Sequence, residues 1–215
     1  MNEKGLCVSM TGCEVVSSPE RNEGLFFPAP IRTLLDTCAT VEEALHRLAP
    51  MPISSHFQLM LADTGGDAAI VEFAHINGEP VRAIRRAENG YLASYNHYQA
   101  SEIAGILSEK RFFSYARQVA VDTFMAAHEK VSLEDLMMLL EAPVPSGLSC
   151  RAYSEFFGTL RSMLFDATDK RLFCSMGFPR AESWFEVNLD EDPCIERIYV
   201  PFEDEPAPEM FWHLV

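Results

Sequence analysis

The sequence has 215 residues, 48% of them apolar and 23% charged, and a formal net charge of −15. A chain of this length and composition buries a sizeable core, which excludes a disordered segment and fits one domain or the larger piece of a bigger one. The negative balance excludes non-specific nucleic-acid binding and docking on anionic lipid, both of which need basic patches.

The first predicted element is a buried strand at Gly5–Thr11, ended by Gly12. A Ser-, Pro-, Asn- and Gly-bearing loop follows over Cys13–Phe27. Pro30–Cys38 reads as a helix, with proline in the first turn and Ile31, Leu34, Leu35 and Cys38 on one face. Thr40 and Glu43 have the spacing of a reciprocal capping box at the start of a second helix, Val41–Leu48. Phe57–Ala62 and Ala68–Phe73 read as a hairpin around Asp63–Asp67. Pro80–Ala87 and Tyr91–Tyr95 flank Asn89-Gly90, a type I′ turn signal. A long helix is predicted over Leu107–Ala127, and Ser132 caps another that runs to Leu140 and stops before Pro143. Strands are predicted at Phe157–Phe165, Arg171–Met176 and Trp184–Leu189, the first two joined by a turn at Asp166–Lys170. The order is one strand, two helices, four strands, two helices and three strands. That pattern favours antiparallel sheet covered by helices, an α+β layered fold. Glu203–Glu209 reads as an irregular acidic, proline-rich tail, so the expected division is a domain over 1–200 and a tail over 201–215.

No apolar run approaches the ~18 residues that cross a bilayer. Met1–Gly12 lacks the basic-then-apolar pattern of a signal peptide. The six cysteines, Cys7, Cys13, Cys38, Cys150, Cys174 and Cys194, form no CxxC pair and no Cys/His zinc spacing. Reduced, mostly buried thiols in the cytoplasm are expected. Asp190-Glu191-Asp192 lacks the ligand spacing of a calcium loop and reads as a solvated turn. No metal or cofactor is expected. The GxSxG, GxGxxG, P-loop and HExxH signatures are absent.

A family resemblance adds function. Met1-Asn2-Glu3-Lys4-Gly5-Leu6, followed by Cys7-Val8-Ser9, resembles the MNEKGL-plus-strand segment of the choloylglycine hydrolase superfamily, which holds bile salt hydrolases, penicillin V acylases and a penicillin acyltransferase branch. Pro30–Leu45 resembles the helix pair of the acyltransferase branch, and Phe57–Phe73 its next hairpin. Tyr95-Asn96-His97-Tyr98-Gln99 is similar to its TNH-type motif, Ser108-Glu109-Lys110-Arg111 to its Ser-x-x-Arg helix start, and Gly158–Pro179 to its closing strands. The likeness spans about residues 1–180.

The resemblance implies an N-terminal-nucleophile (Ntn) hydrolase fold, the four-layer αββα sandwich, and hydrolysis or acyl transfer at a linear amide of a small molecule. In such enzymes an N-terminal cysteine attacks the carbonyl and its own α-amine, with a pKa near 8, serves as base. By the resemblance Asn96 donates to the oxyanion and Arg111 organises the electrostatics. Thr11, Gly12 and His97 fall at substrate-binding places. Gly12 stands where bile salt hydrolases have an asparagine, which favours the acyltransferase-like branch. The family nucleophile lies well before the NEKGL segment, so the chain is expected to be N-terminally truncated, without the nucleophilic cysteine, and inactive alone. Cys7 and Cys13 are poor replacements: Cys7 lies in a buried strand, and Cys13, the more exposed of the two, has no α-amine or neighbouring histidine. The competing reading is a catalytically inactive sandwich that binds a ligand or partner. That reading predicts an exposed apolar edge or groove, and association through an exposed sheet edge, including as a homo-oligomer, is the partner expectation.

Overall fold

The structure, a computed structural model, describes residues 1–13, 15, 23–107, 109–188 and 198–215. It is a mixed α+β chain with antiparallel sheets. Two compact units are seen: Met1–Lys110 with Ala167–Lys170, and Arg111–Asp166 with Arg171–Val215. Among the described residues, no helix is long and apolar enough to cross a membrane.

Strand alternation builds the first unit. β1 (Cys7–Gly12), β2 (Phe57–Ala62), β3 (Ala68–Ile76) and β4 (Glu79–Arg86) pair antiparallel in that order. The register sets Val8 opposite Leu61, Leu59 opposite Val71 and Phe57 opposite Phe73. Side chains two apart share a face, so these residues make one continuous apolar surface. Helices α1 (Pro28–Thr37) and α2 (Val41–Leu48) bury Leu34, Cys38, Val41, Ala44 and Leu48 against it. Asn2 fastens the chain start to this layer. Its Nδ2 donates to the carbonyls of Leu35 (2.9 Å) and Cys38 (2.8 Å), and its Oδ1 accepts from Leu6 N–H (2.9 Å). Two carbonyls at the end of α1, which no helical donor reaches, are thereby satisfied. Gly5 has φ +89°, and a Cβ there would lie 2.2 Å from Thr64 Cγ2, so a larger residue is strained at this position.

The α2 start departs from the expected capping box. Thr40 Oγ1 accepts from Glu43 N–H (3.2 Å), but the Glu43 carboxylate accepts from Ala39 N–H (2.7 Å), one residue further out than expected. Val41 N–H, an orphan donor of the first turn, goes instead to the Asp63 carboxylate (2.8 Å). At the other end of α2, Arg82 donates to the carbonyls of Leu48 (2.8 Å), Ala49 and Met51, which a helix C-terminus leaves open.

The β2–β3 hairpin stands where expected, and β3 runs on to Ile76. Its turn into β4 is Asn77-Gly78, with φ +55° and +83°, the two positive values a type I′ turn requires. That Asn-Gly pair was not read as a turn in the sequence. Asn89 and Gly90 also have positive φ, but only a single bridge, Glu88 to Tyr91, closes around them. The expected strand Tyr91–Tyr95 does not form. Its backbone groups find side-chain partners, as described below.

The expected long helix over Leu107–Ala127 is shorter. A separate turn, α3 (Ser101–Ala104), comes first in the first unit and buries Ile103. The main helix α4 (Phe112–Ala127) starts only after Arg111, which is extended at φ −83°, ψ 151°. Ser108 of the Ser-x-x-Arg segment lies outside the described residues. α5 (Leu133–Glu141) has the capping box of Ser132 and Asp135.

In the second unit β5 (Arg151–Ala152) pairs with β6 (Phe157–Gly158), while β7 (Arg161–Asp166), β8 (Arg171–Met176) and β9 (Trp184–Val187) form an antiparallel sheet. The strand expected over Phe157–Phe165 is thus two. The chain changes partners at Thr159-Leu160: Thr159 N–H donates to Cys150 O (2.8 Å), and Leu160 O accepts from Gly177 N–H (2.7 Å). Leu189, Asp190, Glu191, Asp192 and Cys194 lie outside the described residues. Residues 201–208 have no regular structure, yet Phe211 beyond them is fully buried, 5.2 Å from the Phe113 ring and 5.4 Å from that of Phe157.

Candidate active site on the polar face of the first sheet

The face of the β1–β4 sheet opposite α1 and α2 interrupts its apolar pattern. Register aligns Thr11, Gln58, Glu72 and Ala83 in one row across the four strands. Gln58 and Glu72 are both fully buried. Burying an amide or a carboxylate is costly unless its hydrogen bonds are replaced. Here residues 93–100, which run without regular structure, provide the replacements.

Glu72 accepts from Arg85 Nε (2.7 Å) and from the backbone N–H groups of Gln99 (3.2 Å) and Ala100 (3.1 Å). Arg85 Nη2 donates to Ala93 O (2.8 Å). Gln58 Nε2 donates to Tyr95 O (2.8 Å) and His97 O (2.9 Å), and its Oε1 accepts from Ser94 Oγ (3.1 Å). The Tyr98 hydroxyl donates to Phe73 O (2.5 Å) and meets His56 Nδ1 at 3.1 Å. The backbone of this segment therefore has its partners in side chains rather than in a ladder. That is why no strand forms at Tyr91–Tyr95.

Asn96 stands between the two carbonyls that Gln58 holds. Its Nδ2 donates to Gly12 O (2.9 Å) at the end of β1. A primary amide nitrogen has two N–H groups, so this bond fixes the side chain and leaves one donor over. Thr11, opposite Gln58 in the register, and Gly12 are thus gathered with Asn96. His97 is buried, its ring stacked on Tyr95 with centroids 5.6 Å apart. Arg111 belongs to the second unit, where its Nη1 donates to Trp212 O (2.6 Å) and its backbone bridges to Leu214.

Cys13, expected to be the more exposed of the two candidate cysteines, is not in the open. It is buried, with Sγ 3.1 Å from Gln58 Nε2, and burial pushes its thiol pKa up to about 12. The thiolate is the reactive species, so this cysteine is not poised to attack a carbonyl. Cys7, in β1, is buried as expected. Among the described residues no group of His, Cys, Asp and Glu side chains could hold a metal ion.

Gly12 and Asn96 are joined by a direct hydrogen bond, and both sit inside a long sequence match. Residues 1–181 match the model of the acyl-coenzyme A:6-aminopenicillanic acid acyl-transferase family. The chain belongs to that family. That family lies in the Ntn-hydrolase group with the choloylglycine hydrolases and penicillin acylases, and acyl transfer or hydrolysis is the family's general chemistry. Comparison with curated proteins gives no match. The acyltransferase-family match covers β1 to β8 and α1 to α5, and with them Thr11, Gly12, Asn96, His97 and Arg111.

Gln58, Glu72 and Arg85 were not singled out in the sequence, although a signal was there. Gln58 and Glu72 each interrupt an apolar strand with apolar residues on both sides (Phe57 and Leu59, Val71 and Phe73). A lone polar residue in a strand whose two faces are both buried marks a partner elsewhere in the chain.

Proposed function

We propose that the chain carries part of the catalytic apparatus of an acyltransferase or hydrolase acting at a linear amide, and that Asn96 donates to the oxyanion of the tetrahedral intermediate. The observation that carries this is the Asn96 Nδ2 bond to Gly12 O (2.9 Å). It holds a neutral amide in place while keeping one N–H for a developing negative charge. A preorganised donor of this kind acts without reorganising during the reaction. The nucleophile in this reading is an N-terminal cysteine whose α-amine is the base, supplied by polypeptide outside these 215 residues. Thr11, Gly12 and His97 border the acyl group, and Arg111 sets the electrostatics around the thiol. The reading implies the four-layer αββα sandwich of the superfamily, with the β1–β4 sheet and its two helices as one β and one α layer.

In acyl transfer the thiolate adds to the amide carbonyl and the oxygen takes the charge. The amine leaves with the proton held by the α-amine, and the thioester passes its acyl group to water or to an acceptor amine. The family name points to acyl-coenzyme A as a further donor, whose thioester enters the same scheme.

The test is turnover of penicillin V, acyl-homoserine lactones and bile salt conjugates. The 215-residue chain alone should be inactive. Joined to a segment with an N-terminal cysteine it should turn over one of these classes, and Asn96→Ala should lower kcat by about 10²–10³. Turnover by the chain alone, abolished by Cys7→Ala or Cys13→Ala, would refute this assignment of the nucleophile.

A second reading, a non-catalytic sandwich that binds a ligand or partner, draws on β1, which stands at the edge of its sheet among the described residues. An open edge is a template for strand pairing, including with a second copy.

A further inference from the structure

We infer that Gln58 is the positioning residue for Asn96, acting through the backbone on either side of it. One amide nitrogen, Gln58 Nε2, takes the carbonyls of residues 95 and 97 at 2.8 and 2.9 Å. Drawing two carbonyls from both flanks of a residue onto one atom fixes the backbone between them in a single conformation. The Asn96 side chain then leaves from a fixed Cα, and its reach to Gly12 O is set.

The orientation of the Gln58 amide is settled by chemistry. Both backbone partners are carbonyls, which only accept, so the nitrogen must face them. The oxygen on the other side takes the Ser94 hydroxyl at 3.1 Å. Gln58 is itself held within β2, between Thr11 and Glu72 in the register. It is fully buried, so water does not compete for its donors. A rigid strand thus transmits its position to a loop residue through two hydrogen bonds, which is how a supporting residue holds a reactive donor in place. The catalytic meaning of this arrangement rests on the oxyanion reading of Asn96, but the positioning itself does not.

The experiment follows the side-chain amide of Asn96 by ¹⁵N NMR in the full chain, with hydrogen exchange as the readout. The side-chain amide of Asn2, which serves α1 on the opposite face of the sheet, is the internal control. Gln58→Met keeps the length and removes both donors. Exchange at the Asn96 amide should rise about tenfold, while that of Asn2 stays unchanged. Unchanged exchange at Asn96 overturns the inference, and so does an equal rise at both amides, which would show general loosening.

Gln58→Glu is the second variant, should Gln58→Met fail to fold. Its carboxyl offers one donor when protonated and none when ionised, so one or both carbonyls lose their partner and Asn96 should exchange faster than in the unmodified chain. Exchange equal to that of the unmodified chain contradicts the inference. If Gln58→Met loosens Asn96 while acyl transfer by the chain joined to its cysteine segment is unaffected, the positioning stands and the oxyanion reading falls.

Discussion

The two faces of the β1–β4 sheet hold their neighbours by different physics. The face under α1 and α2 packs Leu59, Leu61, Val71 and Phe73 as an apolar layer, and the hydrogen bonds described there, through Asn2, Asp63 and Arg82, serve only the helix ends. The opposite face uses Gln58, Glu72 and Arg85 to place one irregular segment atom by atom. Apolar burial tolerates repacking when volume is conserved. A buried polar network does not, because each member left without its partner pays the full desolvation cost. The first face therefore fixes that a sheet and two helices form, and the second fixes where Asn96 stands.

Substitutions on each face sharpen this contrast. Phe57 is fully buried on the apolar face, and Phe57→Ala should lower unfolding free energy by about 4 kcal/mol in urea titrations. Phe57→Leu should recover most of that loss. On the polar face, Glu72→Ala leaves the Arg85 guanidinium and the N–H groups of Gln99 and Ala100 without their acceptor. A loss of about 3 kcal/mol is expected, and Glu72→Leu, of fitting volume, should not recover it. Recovery by Glu72→Leu would show that the two faces do not differ in kind.

Asn2→Ala should cost ~2 kcal/mol through the open carbonyls of Leu35 and Cys38, with no effect on Asn96 exchange. The smallest effect is a pH dependence at the end of the sheet. Burial lowers the His75 pKa from its ordinary 6.5, and the His56 ring lies 6.0 Å away. The unfolded chain therefore takes up this proton first. The contribution of a neutral His75 is complete above the ordinary range and is lost as pH falls below it. Stability should decline between about pH 7 and pH 5, and His75→Asn should flatten that decline.

The sequence displayed the apolar face well, because period-two and 3.6-residue patterns are local. Val41–Leu48, Phe57–Ala62 and Arg171–Met176 have the boundaries read from periodicity. It was poor where nonlocal partners decide. Tyr91–Tyr95 has strand composition, but Arg85 and Gln58 take its carbonyls. Phe157–Phe165 reads as one run, yet it changes partners at Thr159. Asn77-Gly78 carries a local turn signal, which an expected strand end at Phe73 leaves outside the hairpin. The pairing of Asn96 with Gly12 crosses 84 positions, beyond any local pattern. Only the family resemblance singled out Asn96, and only the fold shows what holds it.

The most direct measurement is a crystal structure of the chain, joined to a segment that bears the proposed N-terminal cysteine, with a substrate-like aldehyde trapped as a tetrahedral adduct. The account predicts the adduct oxygen within about 3.2 Å of Asn96 Nδ2, with the bond to Gly12 O retained. An adduct oxygen held by other donors, with the Asn96 amide beyond hydrogen-bond reach, would contradict it.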